Sequence, residues 1–273
     1  SAFKTLFDND LEPEVYSFRL LDALIKAAEK EGITDYPVHI KLDTGMHRLG
    51  FDPIHDMERL ISILKKHQNT IIPRSVFSHF VGSDSDNFDD FSAHQFTLFD
   101  KASKQLQAAF THHILRHIDN SAGILHFPDR QLDMCRLGLG LYGINSRDNQ
   151  IINNVCSLRT TILQMHKIGR NETVGYSRKG TVERESVVAA IPIGYADGLD
   201  RRLGNRNCYC LVNGHKAPYL GNICMDVAMI DVTDIPCKEG DSVEIFGDKL
   251  PVTVLSDTLG TIPYEVLTSI SER

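Results

Sequence analysis

Residues 39–50 read His39-Ile40-Lys41-Leu42-Asp43-Thr44-Gly45-Met46-His47-Arg48-Leu49-Gly50. Val38, Ile40 and Leu42 alternate with His39 and Lys41, the period-2 pattern of a strand. Asp43-Thr44-Gly45 breaks that pattern. Asp52 followed by Pro53 predicts an N-cap and a first helical residue. Ile54, Met57, Ile61 and Leu64 then recur at helical spacing. Lys41, Asp43 and Arg48 therefore belong to the C-terminal end of a strand that leads into a helix, where α/β proteins bind ligands. Position alone fits a lysine and an arginine exposed on a loop equally well.

Strand–helix alternation continues on both sides. Ala2 to Phe7 reads as a helix and Glu14-Val15-Tyr16 as a short strand. Ser17 can cap a helix with an apolar face of Leu21, Leu24, Ile25 and Ala28, stopped by Gly32. A strand over 75–80 ends near His79. A polar loop, 82–87, leads to a helix over 89–108. A strand over 114–118 ends in Asp119-Asn120-Ser121, and a glycine-spaced strand covers 137–142. Five strands of this kind imply a parallel sheet or a (β/α) barrel. A closed barrel needs eight strands, so 1–156 is expected to be the C-terminal part of a (β/α)8 barrel, about its last five strands, and the chain a fragment.

From about Ser157 strands follow one another, with candidates at 158–166, 186–195, 208–213, 217–224, 227–232, 242–247 and 251–255. Asn213-Gly214 is a hairpin signal. Residues 157–273 thus read as a separate antiparallel β domain, with a short helix around Tyr264 to Ile270.

Composition narrows the function. The 273 residues are 42% hydrophobic and 24% charged, with a net charge of −7, an ordinary globular mix. No basic run suggests nucleic acid, and no apolar stretch reaches the ~18 residues of a membrane span. No signal peptide is visible at Ser1. The six cysteines form no Cys-x-x-Cys pair and no cluster of zinc spacing. They read as ordinary thiols in a reducing compartment, and no metal site is expected.

Two strand ends suggest a phosphate site, since barrels often hold phosphate on the loops after the last two strands. Ser121, in Asn120-Ser121-Ala122-Gly123, can cap a helix and offer a hydroxyl and an amide to an anion. Gly138 and Gly140 let the backbone approach a ligand. Taken singly, these are equally a plain helix cap and close strand packing; together they favour a phosphate cofactor. Arg136 would point inward, where an arginine must be paired or ligand-bound. His79 shares that rim. Tyrosines stand beside glycine at Gly175-Tyr176 and Gly194-Tyr195.

Lys41 to Gly50, Asn120-Ser121, Arg136-x-Gly138, Gly175-Tyr176, Ile193-Gly194-Tyr195-Ala196-Asp197-Gly198, Ile223-Cys224-Met225-Asp226 and Tyr264-Glu265 occur in the order found in alanine racemase. Essentially the whole chain resembles that family of fold-type III pyridoxal-phosphate enzymes. The resemblance implies a (β/α)8 barrel with a C-terminal β domain, pyridoxal 5′-phosphate as cofactor and alanine as substrate. It implies a cytoplasmic head-to-tail homodimer, each active site joining the barrel of one subunit to the β domain of the other. The implied reaction is two-base proton exchange between L- and D-alanine, supplying D-alanine for peptidoglycan.

Carried over by residue, Tyr176 resembles the catalytic tyrosine on the L-alanine side; a phenol, with an ordinary pKa of about 10, needs help to act as a base. Arg136 resembles the cation facing the pyridine nitrogen, and His79 the histidine acting through it. Asn120, Ser121, Gly138, Leu139 and Tyr264 resemble the cofactor cradle. Arg48, Tyr195, Met225 and Asp226 resemble substrate and entry contacts, and Lys41 the lysine that becomes carbamylated. The family's Val-Lys-Ala-x-Ala-Tyr-Gly-His-Gly pattern does not occur here, so its cofactor lysine and second base have no candidate. The chain also ends short of the family's usual final strand. This piece alone is therefore expected to be inactive, and a parent with a fused cell-wall peptide ligase would suit such a truncation. A related decarboxylase of basic amino acids is the alternative in the same fold, less favoured by the Lys41–Arg48 spacing and the compact β domain. A non-catalytic cofactor-binding protein is the alternative from another class.

Overall fold

In the computed structural model of the chain, residues 2–271 are described. They form two compact units: residues 2–140 with 146–148, and residues 141–145 with 149–271.

The first unit begins with α1 (Ala2–Asp8), β1 (Glu14–Val15), α2 (Phe18–Lys30) and β2 (Tyr36–Lys41). It continues with α3 (Met57–Lys66), β3 (Ile71–Phe77), α4 (Asp89–Ala108), β4 (Leu115–His117) and α5 (Ser121–His126). The strands pair in parallel, in the order β1-β2-β3-β4. Ser17 caps α2 by accepting the Leu20 N–H, and the buried face is Leu21, Leu24, Ile25 and Ala28, as the spacing requires. Val38, Ile40, Leu42, Leu60, Leu64, Ile71, Val76 and Phe99 fill the core between sheet and helices.

Four expectations in this unit are corrected. The helix after Asp52 starts at Met57, because Asp52 Oδ1 accepts the N–H groups of Ile54 and His55 and holds 53–56 as a turn. The strand expected over 75–80 ends at Phe77; His79 lies two residues beyond it. Asn120, not Ser121, caps α5, accepting the Gly123 N–H. Residues 137–142 are not a fifth strand: Leu139–Tyr142 form a short 3-10 turn. The Gly138 and Gly140 amides that a strand would give to a neighbour both go to Ser121 Oγ.

The second unit comprises β5 (Leu158–Thr161), β6 (Gln164–Ile168), β7 (Thr173–Val174), β8 (Gly180–Thr181) and β9 (Ser186–Ile191). β10 (Tyr209–Val212), β11 (His215–Pro218), β12 (Ala228–Asp231), β13 (Ser242–Phe246), α6 (Val252–Leu259) and α7 (Pro263–Ser269) follow. All pairings are antiparallel, in sheets ordered β11-β10-β13-β5 and β12-β9-β6, with β7-β8 separate. Asn213 and Gly214, at φ +50° and +82°, turn β10 into β11 as a two-residue loop with two positive φ values.

Residues 158–166 are two strands, because Ile162 donates to Asp241 O and Leu163 to Ala190 O, sending the chain from one sheet to the other. The strand expected over 217–224 occupies 215–218. Residues 251–255 open a helix: Val252, Leu255 and Ser256 are buried at i, i+3 and i+4, and Gly260 closes it at φ +67°.

Candidate functional site

The loops after β2, β3 and β4 converge on Arg136. The segment carrying it runs beside the end of β4, with Asp133 N–H on Arg116 O and Arg136 N–H on Asp119 O. Its Nη1 donates to His117 Nδ1 at 2.5 Å. Its Nη2 donates to Ser78 O at 2.6 Å, His79 Nδ1 at 3.1 Å and Ile118 O at 3.1 Å. A guanidinium can only donate, so both imidazoles accept at Nδ1. Burial, then the Arg136 charge, pushes His79 down to about 4 and His117 down to about 3. Both rings are therefore neutral at physiological pH.

Phe77 lies under this cluster. His117 stacks on it at 4.8 Å and 6°, the Arg136 Cζ lies 5.2 Å from its centroid, and Lys41 Nζ lies 4.5 Å from the same ring. Lys41 is only 6% exposed. Among the described residues no carboxylate lies within salt-bridge reach of it, and burial pulls its pKa down. Arg48 is exposed on the loop after β2, and its charge bears on Lys41, His79 and Arg136.

Buried polar side chains tie these loops together. Thr44 Oγ1 meets Ser78 Oγ at 2.7 Å, and Ser78 Oγ donates to Leu42 O. The Gln95 amide, fully buried on α4, donates to Thr44 Oγ1 and His79 O and accepts the Val81 N–H.

Of the residues expected to form a cradle, Asn120, Ser121, Gly138 and Leu139 lie within this unit, whereas Tyr264 belongs to the second. Ser121 Oγ accepts from Gly138 N at 2.7 Å and Gly140 N at 3.3 Å. Leu139, between them, is buried. Asn120 is fixed by Ser83 Oγ, which donates to its Oδ1 at 2.8 Å, and by its own bond to Phe80 O. The hydroxyl keeps its own proton to give, and the two amides now spent on it point to the same spot, which suits a phosphate that would take their place as acceptor.

Tyr176, Tyr195, Met225, Asp226 and Tyr264 belong to the second unit. Tyr176 is 69% exposed, on a turn where Ser177 and Arg178 stand at φ +58° and +54°, conformations that non-glycine residues hold at a cost. The buried Asn222 amide clamps this turn, donating to Tyr176 O at 3.0 Å while its Oδ1 accepts from Asn205. Tyr195 N–H bonds Cys224 O and Ala196 N–H bonds Met225 O, which brings Tyr195 and Met225 together. Gly194 permits this approach, since a Cβ there would overlap the Met225 carbonyl oxygen. Tyr264 lies near the start of α7 and is part-exposed.

Sequence reading missed His117, Gln95, Asn222 and Asp119 as site residues. His117 stands two residues before Asp119-Asn120-Ser121, and its alternation with Leu115 was the available signal; Gln95 carried none. Asp119 is fully buried, and neither carboxylate oxygen has a hydrogen-bond partner. Burial raises it to about 7, against the pull of Arg136 and Arg130. Asp86, Asp89 and His126 also cluster closely enough to hold a cation, with Asp86 paired to Arg147.

Comparison with known proteins identifies relatives. The family model "Alanine racemase, N-terminal domain" matches residues 1–146, and "Alanine racemase, C-terminal domain" matches 155–273. Alanine racemase 1 of Clostridium acetobutylicum is 36% identical over 283 residues, covering 100% of this chain and 72% of the relative. The solved alanine racemase of Clostridium difficile 630 is 31% identical with a TM-score of 0.90, over 100% of this chain and 72% of that one. The alanine racemase of Bartonella henselae, solved with covalently bound pyridoxal phosphate, is 29% identical with a TM-score of 0.82, over 100% and 74%.

Proposed function

The chain belongs to the alanine racemase family, and on that premise we propose that a parent protein carrying this chain together with the family's cofactor lysine interconverts L- and D-alanine, with pyridoxal 5′-phosphate held in part by this chain's first unit. The observation that carries this reading is the Arg136 guanidinium held between two neutral histidines. Nη1 and Nη2 serve these four acceptors, and Nε–H, with no acceptor among the described residues, is a donor Arg136 can offer a pyridine nitrogen. Ser121 offers the phosphate its hydroxyl proton, and the Gly138 and Gly140 amides that now hold Ser121 Oγ would turn to the phosphate oxygens. When bound, the cofactor draws electrons from the substrate α-carbon and acidifies its C–H bond. A fixed cation rather than an acid at the ring nitrogen limits that withdrawal, which favours proton exchange over longer-lived carbanion chemistry. The parallel sheet β1–β4 is, on this reading, part of a (β/α)8 barrel.

Tyr176 moves the proton on one face of the substrate, holding it at its phenol oxygen between removal and return. Arg48 receives the substrate carboxylate. Lys41 is buried and its amine readily neutral, so it can take up carbon dioxide; the resulting carbamate would set a negative charge among Arg48 and Arg136. Intact-mass spectra in bicarbonate should show the adduct, and degassed acidic buffer should remove it. Persistence of the unmodified mass in bicarbonate ends that assignment.

The exposed Tyr176, Tyr195 and Met225 support a homodimer in which each β unit completes the partner's site. Six unpaired cysteines support a reducing, cytoplasmic setting, where the D-alanine would feed peptidoglycan. The test is alanine racemisation in deuterated water by the cofactor-loaded parent protein. D-Alanine labelled at Cα is expected, and Tyr176→Phe should slow its formation by at least about 10²-fold. A Tyr176→Phe rate equal to wild type removes the phenol from the mechanism.

A further inference from the structure

Behind Arg136, hydrogen bonds run across the whole parallel sheet. Arg136 Nη1 donates to His117 Nδ1 on β4 at 2.5 Å. His117 Nε2 meets Ser75 Oγ on β3 at 3.2 Å. Ser75 Oγ meets His39 Nδ1 on β2 at 2.6 Å. His39 Nε2 meets Glu12 Oε2, just before β1, at 2.8 Å. The side chains reach one another because the register sets His39 beside Ser75 and Phe77 beside His117. Ser75 and His117 are buried, and Glu12 is the exposed end.

The two ends force one direction on every bond between them. Arginine cannot accept, so His117 Nδ1 carries the lone pair. The ring is neutral, so its single proton is on Nε2 and is given to Ser75 Oγ. Glu12 can only accept, so a His39 ring carrying one proton keeps it on Nε2 and has its lone pair on Nδ1, which takes the serine proton. With one proton on each ring, no bond can be reversed without placing two hydrogens or two lone pairs face to face.

We propose that Glu12, His39, Ser75 and His117 form a one-directional hydrogen-bond relay that positions the Arg136 guanidinium, anchoring a cofactor-facing cation to a carboxylate on the far side of the sheet. The residues act through Arg136 and touch no reacting atom; they are positioning residues. The catalytic part of this inference rests on the function proposed above, whereas the relay itself does not.

The test separates the two. Long-range 1H–15N spectra of histidine-labelled protein without cofactor should show His117 and His39 protonated at Nε2 and bare at Nδ1. Glu12→Gln, which ends the chain on an amide able to donate or accept, should admit the Nδ1–H form of His39 and shift the His117 Nδ1 signal two links away. Ser75→Ala should broaden the separate Arg136 Nη resonances by freeing rotation of the guanidinium. In the cofactor-loaded parent protein, Ser75→Ala should lower kcat on the order of 10-fold, the scale of outer-layer support, with KM within about two-fold. A wild-type His117 protonated at Nδ1, or a His117 signal indifferent to both substitutions, overturns the relay. Unchanged kcat in Ser75→Ala overturns its positioning role and leaves the racemase reading intact. A wild-type parent protein that makes no D-alanine overturns that reading, while the spectra still decide the relay.

Discussion

The two units prepare their chemistry in opposite ways. Around Arg136 nearly every polar atom is spent inside the chain: four acceptors on the guanidinium, and a Gln95 amide saturated by Thr44, His79 and Val81. Around Tyr176, Tyr195 and Met225 the hydrogen bonds stop at the backbone and hold the turns, while the side chains stand out, Tyr176 at 69% and Met225 at 50% exposed. The first region builds its function into its own stability. The second fixes where a backbone goes and leaves a phenol and a thioether for something else to meet. A substitution should therefore damage stability in the first and activity in the second.

Arg136→Gln is the strongest way to break that contrast. Glutamine keeps one donating amide but no charge, and leaves most of four buried acceptors without a partner. Losing one member of a buried charged network typically costs about 3 kcal/mol or more. Urea unfolding should show a loss of that order. The His79 and His117 rings should also titrate nearer the ordinary histidine value, since the Arg136 charge is the second cause of their depression. The rise should be partial, because burial is the first. Unaltered stability would mean that the guanidinium is held for its ligand alone.

Asn222→Ala sharpens the other side. It removes the donor to Tyr176 O and the acceptor of Asn205 Nδ2. With the clamp gone, the positive-φ residues Ser177 and Arg178 can relax and carry Tyr176 away. Racemisation should fall on the order of 10-fold, about 1.4 kcal/mol in activation energy, with KM for alanine nearly constant. The thermal midpoint should change little, and Asn222→Asp, which keeps the acceptor and loses the donor, should behave like alanine. A large loss of stability at normal kcat would move Asn222 to the structural side.

Legibility followed the same divide. α2 could be read almost to the residue because cap, apolar spacing and stop signal all agreed; α4 keeps its expected bounds without a capping side chain. Residues 251–255 misled because Val252 and Val254 favour strands locally, whereas burial of Val252 and Leu255 one turn apart favours a helix. Residues 137–142 misled because alternating leucine and glycine look like a strand, yet their amides bond a serine side chain about 17 residues away in sequence. The site residues in contiguous motifs, such as Arg136 and Ser121, were recognisable. His117, Gln95 and Asn222 act through partners between 14 and 51 residues distant, and no local pattern records such pairings.

The smallest expected effect tests a member of the first region that breaks its rule. Asp119 is buried with neither carboxylate oxygen bonded among the described residues, beside the hydrogen bonds that hold Arg136. Its folded pKa of about 7 lies above the ordinary ~3.9 of an unfolded aspartate, so folding takes up a proton. Below about pH 4 the carboxyl is neutral in both states and costs nothing. As pH rises the unfolded chain ionises first, and the penalty on the fold grows until pH passes about 7. Asparagine has nearly the same shape and does not titrate there. Asp119→Asn should therefore gain on wild type with pH, by at least about 1 kcal/mol more at pH 8 than at pH 5. Equal wild-type and variant profiles in urea titrations would mean that Asp119 stays charged in the fold, held by Arg136 and Arg130 more strongly than burial opposes it.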